Sequence, residues 1–462
     1  MNTKLLKQKI LDLSIRGKLT QQLKSDGTAA DLLKEICDRT QEKTSLRAKR
    51  GNPSPQTIIP LDKSEAPFEI PANWEWVRLG DVVLNRDAER KPVSKKDRNL
   101  HAQKIYDYYG AAGAIDKVEE YLFDEKLLLI GEDGANLLSR SKPNAFLANG
   151  KYWVNNHAHV IDAIDKSMLD YLAFYINAIS LDDFVTGTAQ PKLNQENLNK
   201  IPIPLPPLAE QQRIVAKIEE AFAEIDAVEK NKELLKTHIK QTRQKILDLA
   251  IHGKLVPQDK NDEPASVLLE RITRDNPHYE KIEDEPFEIP QNWVWCKLGN
   301  LFFHTTGKAL KKANSTGIQR NYITTSNLYW CEFDLSEVRS MYFTEDELDK
   351  CTAKKGDLLL CNGGDVGRAA IWNFDYDICF QNHISRLRPK SVSLSNVFYL
   401  YVIRYNKEKG NLNGRGVGIT SLSANDLLSL VVPLPPLNEQ FRIVAKIEEL
   451  FSTLDQMERN LV

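Results

Sequence analysis

The chain has no apolar run approaching the roughly 20 residues of a membrane span. Its start, Met1-Asn2-Thr3-Lys4, leads into an amphipathic segment rather than the apolar core of a signal peptide. A cytoplasmic protein with no membrane partner is expected. Its six cysteines (Cys37, Cys296, Cys331, Cys351, Cys361 and Cys379) form no C-x-x-C pair, and five of them fall in the second half. That spacing suits reduced core thiols rather than zinc or a disulfide framework, so no metal site is expected. An excess of positive charge is also lacking: 62 Lys and Arg stand against 64 Asp and Glu, a net charge of −2. Any nucleic-acid role must then rest on local patches or on a basic partner.

Catalytic signatures are missing too. Gly414-Arg415-Gly416-Val417-Gly418-Ile419 fails the dinucleotide fingerprint, because Ile419 stands where the third glycine belongs, and no Walker A sequence occurs. An adenine-N6 methyltransferase would need a segment such as Asn-Pro-Pro-Tyr. The nearest is Asn276-Pro277-His278-Tyr279, broken by His278 and with no cofactor loop upstream. There is no carboxylate-lysine nuclease cluster and no Ser/His/Asp signature. Glu132 and Asp133 fall in a turn, where solvent exposure is the expectation. No catalytic residue is assigned.

What the chain does have is a long repeat. Pro204-Leu205-Pro206-Pro207-Leu208-Ala209-Glu210-Gln211-Gln212-Arg213-Ile214-Val215-Ala216-Lys217-Ile218-Glu219-Glu220 returns as Pro433 to Glu449, changed only at Ala209/Asn438 and Gln212/Phe441. Gln8-Lys9-Ile10-Leu11-Asp12-Leu13 returns from Gln244 to Leu249, and Pro67-Phe68-Glu69-Ile70-Pro71 from Pro286 to Pro290. Repeats longer than about 50 residues indicate tandem domains rather than a solenoid. With 42% hydrophobic and 27% charged residues, this is ordinary globular composition. A duplicated molecule of this kind presents two similar surfaces and suits a bipartite target.

From Ala209 to Ala250 there is no proline or glycine, and Ile214, Ile218, Ala221, Ile225, Val228, Leu235, Ile239, Ile246 and Leu249 recur at alternating fours and threes once Lys232 and Thr242 fill the two remaining heptad slots. This predicts a coiled-coil helix of roughly 42 residues and about 63 Å. The second copy keeps the seam as Ile443, Ile447, Leu450, Leu454, Met457 and Leu461, and the remainder lies at the other terminus as Leu6, Ile10 and Leu13. The terminal helices together match the one central helix, a pseudo-circular organisation, and the split copy is the expected antiparallel partner. Coiled-coil and partner-docking positions are Ile214, Ile218, Ile225, Leu235, Ile239, Ile246, Ile443, Ile447 and Leu454. Ile201-Pro202-Ile203-Pro204 and Val432-Pro433-Leu434-Pro435 fix an extended entry into each helix.

Between the repeats, near 81–200 and 300–429, lie two variable segments. Tyr152-Trp153-Val154, Leu127-Leu128-Leu129-Ile130, Asp357-Leu358-Leu359-Leu360-Cys361 and Asn321-Tyr322-Ile323-Thr324 read as strands between glycine-rich turns, giving an α+β class. Asn156-His157 and Asn382-His383 are kept in both copies. That favours a fold role, since residues reading different sequences should differ. Trp74/Trp76 and Trp293/Trp295 read as core rather than as stacking platforms. The expected boundaries are a helical segment at 1–40, a first variable domain at 41–200, the long helix at 201–256, a second variable domain at 257–429 and a last helix at 430–462.

Local charge points to nucleic acid. No Asp or Glu occurs from His304 to Tyr329, and seven basic residues face three acids from Arg86 to Lys104. Lysines suit phosphate contacts, and Asn, Gln and Arg suit base readout. The candidate contacts are Arg90, Lys91, Lys95, Lys96, Tyr108 and Lys192 in the first variable domain. In the second they are Lys308, Lys311, Lys312, Arg320, Asn321, Asn362 and Arg415.

The Pro-Leu-Pro-Pro-Leu-x-Glu-Gln-x-Arg-Ile-Val block, the Gln-Lys-Ile-Leu-Asp-Leu-x-Ile-x-Gly-Lys-Leu helix and the Ile-Pro-x-Asn-Trp-x-Trp-x-x-Leu-Gly block together resemble the specificity subunits of type I restriction-modification enzymes, over the whole chain. The resemblance implies two target recognition domains, each of α/β type, that read the halves of an asymmetric bipartite site in double-stranded DNA. It implies that they are joined by long antiparallel coiled-coil helices with a pseudo-two-fold relation. It further implies two modification (methyltransferase) subunits and restriction (endonuclease/translocase) subunits as partners, with S-adenosylmethionine, ATP and Mg on those partners only. The alternative is a coiled-coil scaffold with two protein- or RNA-binding heads.

Overall fold

The computed structural model describes residues 2–47, 58–62, 64–100, 104–187, 189–274, 282–309, 316–412, 414 and 421–461. They form two units, Met1–Asn231 and Lys232–Val462, whose boundary falls inside a single helix. This central helix, Leu208–Ile251, has 44 residues. No interior proline or glycine interrupts its hydrogen-bond ladder, and Pro206-Pro207 blocks its extension upstream. Just past its end, Gly253 takes φ +66°, and the Lys254 N–H reaches the Leu249 carbonyl at 2.8 Å. This is the left-handed stop that satisfies the last carbonyls. The N-terminal helix, Thr3–Ile15, ends the same way: Gly17 has φ +64° and Lys18 bonds to Leu13 at 2.9 Å. A Cβ on either glycine would meet a proline ring, Pro71 at 2.3 Å or Pro290 at 2.4 Å. The repeated Ile-x-Gly-Lys-Leu is therefore a helix stop packed against the repeated Phe-Glu-Ile-Pro.

In the first unit the N-terminal helix runs antiparallel to the first half of the central helix. Thr3 meets Glu229, Lys7 meets Asp226, and Asp26 takes Arg213. In the second unit the C-terminal helix, Leu437–Arg459, does the same for the other half: Arg243 meets Asp455, and Asp262 takes Arg442. Ile214, Ile218, Ile225, Ile239, Ile246, Ile443, Ile447 and Leu454 are buried, each worth about 1.5–3 kcal/mol when fully removed from water. The expected continuous seam is open in its middle. Val228 and Leu235 are 48% and 40% exposed, because the facing helices give out near Thr3 and Arg459.

Each long helix begins with a buried acid and amide. Glu210 and Glu439 are fully buried and accept the indole N–H of Trp74 and Trp293, each at 2.9 Å. Gln211 and Gln440 donate to the carbonyls of Pro206 and Pro435. Burial raises the Glu439 carboxyl above its usual range, against the opposing bonds from Trp293 and Gln258. The Pro-Pro-Leu-x-Glu-Gln and Asn-Trp blocks are thus two halves of one joint. Trp74, Trp76, Trp293 and Trp295 are all core.

The first unit's strands are β1 (Glu75–Arg78), β2 (Leu84–Asn85), β3 (Tyr106–Gly110), β4 (Gly113–Val118), β5 (Phe123–Asp124), β6 (Leu127–Gly131), β7 (Ala145–Ala148), β8 (Lys151–Val154), β9 (Ala158–Asp162) and β10 (Pro202–Leu205). The second unit's are β11 (Val294–Lys297), β12 (Phe302–Thr306), β13 (Ile318–Ile323), β14 (Arg339–Phe343), β15 (Thr352–Ala353), β16 (Leu358–Cys361), β17 (Ala369–Ile371), β18 (Ile378–Phe380), β19 (Ile384–Pro389) and β20 (Val431–Leu434). The extended proline entries are strands: β10 pairs antiparallel with β1, and β20 with β11. Above these pairs each unit carries two four-stranded sheets, β2-β9-β6-β7 with β4-β3-β8-β5, and β12-β19-β16-β17 with β14-β13-β18-β15. The order is the same in both. β6 is buried on both faces: Leu128 and Ile130 join the core under the helices, while Leu127 and Leu129 face the companion sheet. That is why it reads as an unbroken apolar run. β16 repeats this with Leu358 and Leu360 against Leu359 and Cys361. All six cysteines are free, and four are buried.

Candidate nucleic-acid interface

In the first unit β6 and β8 end, and β9 begins, at one rim of the sheets. Turns converge there. The Glu132 N–H donates to the His157 carbonyl at 2.9 Å, Leu193 N–H to Glu132 at 2.8 Å, Gly134 N–H to Pro191 at 3.0 Å and Lys91 N–H to Val154 at 3.2 Å. Asp133 and Lys192 face each other in an antiparallel bridge. Above this backbone Asn156, His157, Lys91 and Lys192 are exposed.

Beneath the rim lies an ionic cluster. Ligand-type atoms of Asp87, Glu132 and His159 stand within 4.8 Å of one another, a grouping that could hold a cation. The Arg90 guanidinium fills that role, at 2.6 Å from Glu132, 3.3 Å from Asp87 and 2.8 Å from the Ala158 carbonyl. The buried His159 ring faces oxygen on both sides, Asp87 at 2.6 Å on Nδ1 and the Leu193 carbonyl at 2.8 Å on Nε2. Lys192 closes the group at 3.2 Å from Glu132. Burial pushes the Glu132 carboxyl up, but the Arg90 hydrogen bond, the charge of His159 and the Lys192 hydrogen bond more than offset it, leaving it below its usual range. Asp87 follows the same pattern, with His159 as its chief partner. Glu132 and Asp133, expected in solvent, are instead only 13% and 19% exposed at their side chains, because the turn folds back under Lys192.

The second unit has the same rim with different chemistry. The strand register sets Ile130 opposite His159 in the first unit and Leu360 opposite Ser385 in the second. The bridge Asp133/Lys192 has its counterpart in Gly363/Ser421. In place of the ionic cluster, Asn362 donates to Ser385 Oγ at 2.9 Å, and His304 Nε2 lies 3.0 Å from the same oxygen. Burial, with the nearby Arg386 charge, holds the His304 imidazole below its usual range.

Of the candidate contacts, Lys91, Lys95, Lys96 and Lys192 are exposed in the first unit, and Arg320 and Asn321 in the second. Arg90 points inward into the ionic cluster. Tyr108 is 2% exposed, exchanging bonds with the Val93 backbone and lying under the Arg98 guanidinium, so no base can stack on it. Lys308 is 9% exposed, neutralised by Glu347 at 2.6 Å and bonded to the Tyr342 carbonyl at 2.7 Å. Asn362 is committed to Ser385 and the Asn382 carbonyl. Lys311, Lys312 and Arg415 lie outside the described residues, as does Asn276-Pro277-His278-Tyr279.

Arg320 and Asn321 line a cleft of about 800 Å³ together with Gln319, Lys354 and Arg388. Its charge is mixed, since Glu345, Asp349 and Asp377 share the wall and Arg388 is gripped by Asp357 at 2.8 and 2.6 Å. Lys354 and Arg388 were not distinguished in the sequence. Asn321 already accepts from Ser340 at 2.7 Å.

Two copies of one α+β frame, each with a polar rim of its own, define a tandem recognition protein. The type I restriction modification DNA specificity domain matches residues 71–237 and 290–461, and the chain belongs to that family as a specificity subunit. It is 26% identical to the EcoAI specificity subunit of Escherichia coli, over 98% of this chain and 90% of that one. The EcoEI specificity subunit of Escherichia coli is 24% identical over 99% and 90%, and a specificity subunit of Haemophilus influenzae is 26% identical over 82% and 88%. The HsdS subunit of Thermoanaerobacter tengcongensis has the same fold, with a TM-score of 0.51 at 20% identity over 86% of this chain and 94% of that one. No helix among the described residues is long and apolar enough to cross a membrane.

Proposed function

We propose that the chain is the non-catalytic DNA-recognition component of a type I restriction-modification complex, acting in the cytoplasm. Each unit reads one half of an asymmetric bipartite site in double-stranded DNA. The observation that carries this reading is the repeated specificity domain whose rim chemistry differs between copies while the frame beneath is kept. Identical frames with different polar rims suit two different half-sites. Exposed Lys91, Lys95, Lys96 and Lys192 supply phosphate contacts on the first unit, and Arg320 with Asn321 supplies base-edge chemistry on the second.

The exposed middle of the central helix, with Val228, Leu234 and Leu235 bare, supports docking of modification subunits, two of them if each unit serves one, and of restriction subunits. S-adenosylmethionine, ATP and Mg belong to those partners. A footprint of the assembled complex on duplex DNA tests the reading: two protected patches separated by an unprotected gap are expected. One continuous patch, or no protection of duplex with retention of RNA or protein, contradicts it.

A further inference from the structure

We propose that Asp133 and His157 form a base-reading pair of the first unit. Nε2 of His157 accepts a hydrogen bond from an exocyclic amino group in the major groove, adenine N6 or cytosine N4. This rests on the reading of the chain as a DNA-recognition subunit.

The geometry is that of an exposed ring on a fixed platform. The His157 side chain is 49% exposed, in a short exposed turn with Asn156 that is anchored by Asn155 before it and Ala158 after it, 3% and 0% exposed. Its backbone is held at both ends: the N–H donates to Asn155 Oδ1 at 2.8 Å, and the carbonyl accepts from Glu132 at 2.9 Å. Both carboxylate oxygens of Asp133 lie on Nδ1, at 2.7 and 3.0 Å. Two acceptors there require the hydrogen on Nδ1. In the uncharged form this sets the tautomer and leaves Nε2 as an acceptor, on a side chain that is half exposed. Asp133 is itself held by its bridge to Lys192. A polar group with position, tautomer and direction already fixed loses little freedom on binding. In the major groove an acceptor discriminates the amino-bearing edges of adenine and cytosine from the carbonyl edges of guanine and thymine.

The second unit supplies an internal contrast. It keeps the imidazole as His383 but has Gly363 where Asp133 stands. A Cβ at Gly363 would lie 2.7 Å from His383 Nδ1, so that ring rests against bare backbone. The two copies thus share a histidine and differ in the group that fixes it. A position retained for the frame and retuned by its neighbour meets the requirement that the half-sites differ.

The test is selection from random duplexes by the full chain assembled with its modification subunit. Wild type should select a bipartite site. His157→Ala should keep both half-sites but lose about tenfold discrimination at one base pair of one of them. Asp133→Asn should relax the same base pair, and His383→Ala should leave it untouched. His157→Gln, which retains a side-chain acceptor, replaces the alanine variant if that one fails to assemble, and should shift preference at that same position only. Unchanged preferences at every position in the His157 variants overturn the inference. So does an equal loss on all duplexes, which identifies a phosphate contact. A wild-type complex that selects no sequence overturns the DNA-recognition reading itself, a failure distinct from either.

Discussion

The rim of the first unit is organised by charge and that of the second by neutral hydrogen bonds, although the strands beneath follow the same order. Where the first has Glu132, Asp133, His159 and Lys192, the second has Asn362, Gly363, Ser385 and Ser421. The difference concerns how each surface can change. In the first unit Arg90, Asp87, Glu132 and His159 are mutually satisfied at low exposure, so replacing one leaves the others uncompensated in a poorly solvated site. In the second, Asn362, Ser385 and His304 are joined by neutral bonds, and each can be exchanged at the cost of one or two such bonds. The shared joints, Trp74 on Glu210 and Trp293 on Glu439, use none of these rim residues and leave them free to diverge.

Glu132→Ala should destabilise the first unit by about 3 kcal/mol, the cost of orphaning a buried pair, whereas Asn362→Ala should cost the second about 1 kcal/mol. Chemical denaturation of the two variants reads this directly; equal losses would show that the ionic rim is no more coupled than the neutral one. Next come the helix stops. Gly17→Ala and Gly253→Ala each force a left-handed residue and press a methyl into a proline ring, at about 2 kcal/mol apiece. Because the joints are shared, the two should match to within a few tenths of a kcal/mol in the same assay.

Acidification separates the rims more gently. Asp87 and Glu132 titrate below their usual range when folded. Their contribution is therefore fully present above the ordinary carboxylate pKa of about 4 and disappears as pH falls through the lower folded values. Hydrogen-exchange protection at the Leu193 amide, which bonds to Glu132, should drop over that window. The Leu422 amide, bonded to Asn362 at 2.8 Å, should keep its protection. Parallel loss at both would remove the distinction. The smallest effect is Leu235→Ala, within about 0.5 kcal/mol for an exposed site, against about 3 kcal/mol for Ile239→Ala in the same helix. Weaker assembly with the modification subunit in the Leu235 variant, at unchanged stability, would sharpen the assignment of that stretch to docking.

The frame was legible because it repeats and because its signals are periodic. Fours and threes gave the helices, whereas the repeated Ile-x-Gly-Lys-Leu shows itself as a helix stop only through the positive φ of Gly17 and Gly253. β6 and β16 declared themselves as unbroken apolar runs. The pairing of β10 with β1 was not legible, since proline clusters specify extension but not a partner. At the rims sequence reasoning was weakest. A basic run tells how much charge is present and not which way each side chain turns: Lys91 faces out while Arg90, its neighbour, faces in. The spacing of Asp87 and Arg90 by three was a local sign of that pairing, but Glu132 and His159 are brought to it only by the fold. Lys308 gave no sign at all, because Glu347, which neutralises it, lies 39 residues away. Leu235 fitted the heptad but lacks a facing helix, a fact about where the terminal helices end.

We propose that the two units read unlike half-sites and that the length of the central helix sets the gap between those half-sites. Inserting four residues at Lys232 adds about 6 Å of helix and about 40° of rotation, close to one or two base-pair steps of about 3.4 Å. Methylated adenines should be mapped in cells carrying the modification subunit with the wild-type or the lengthened chain. An asymmetric bipartite site is expected for both, with the same half-sites and a gap longer by one or two base pairs in the insertion variant. A palindromic site, or altered half-sites across an unchanged gap, would contradict it.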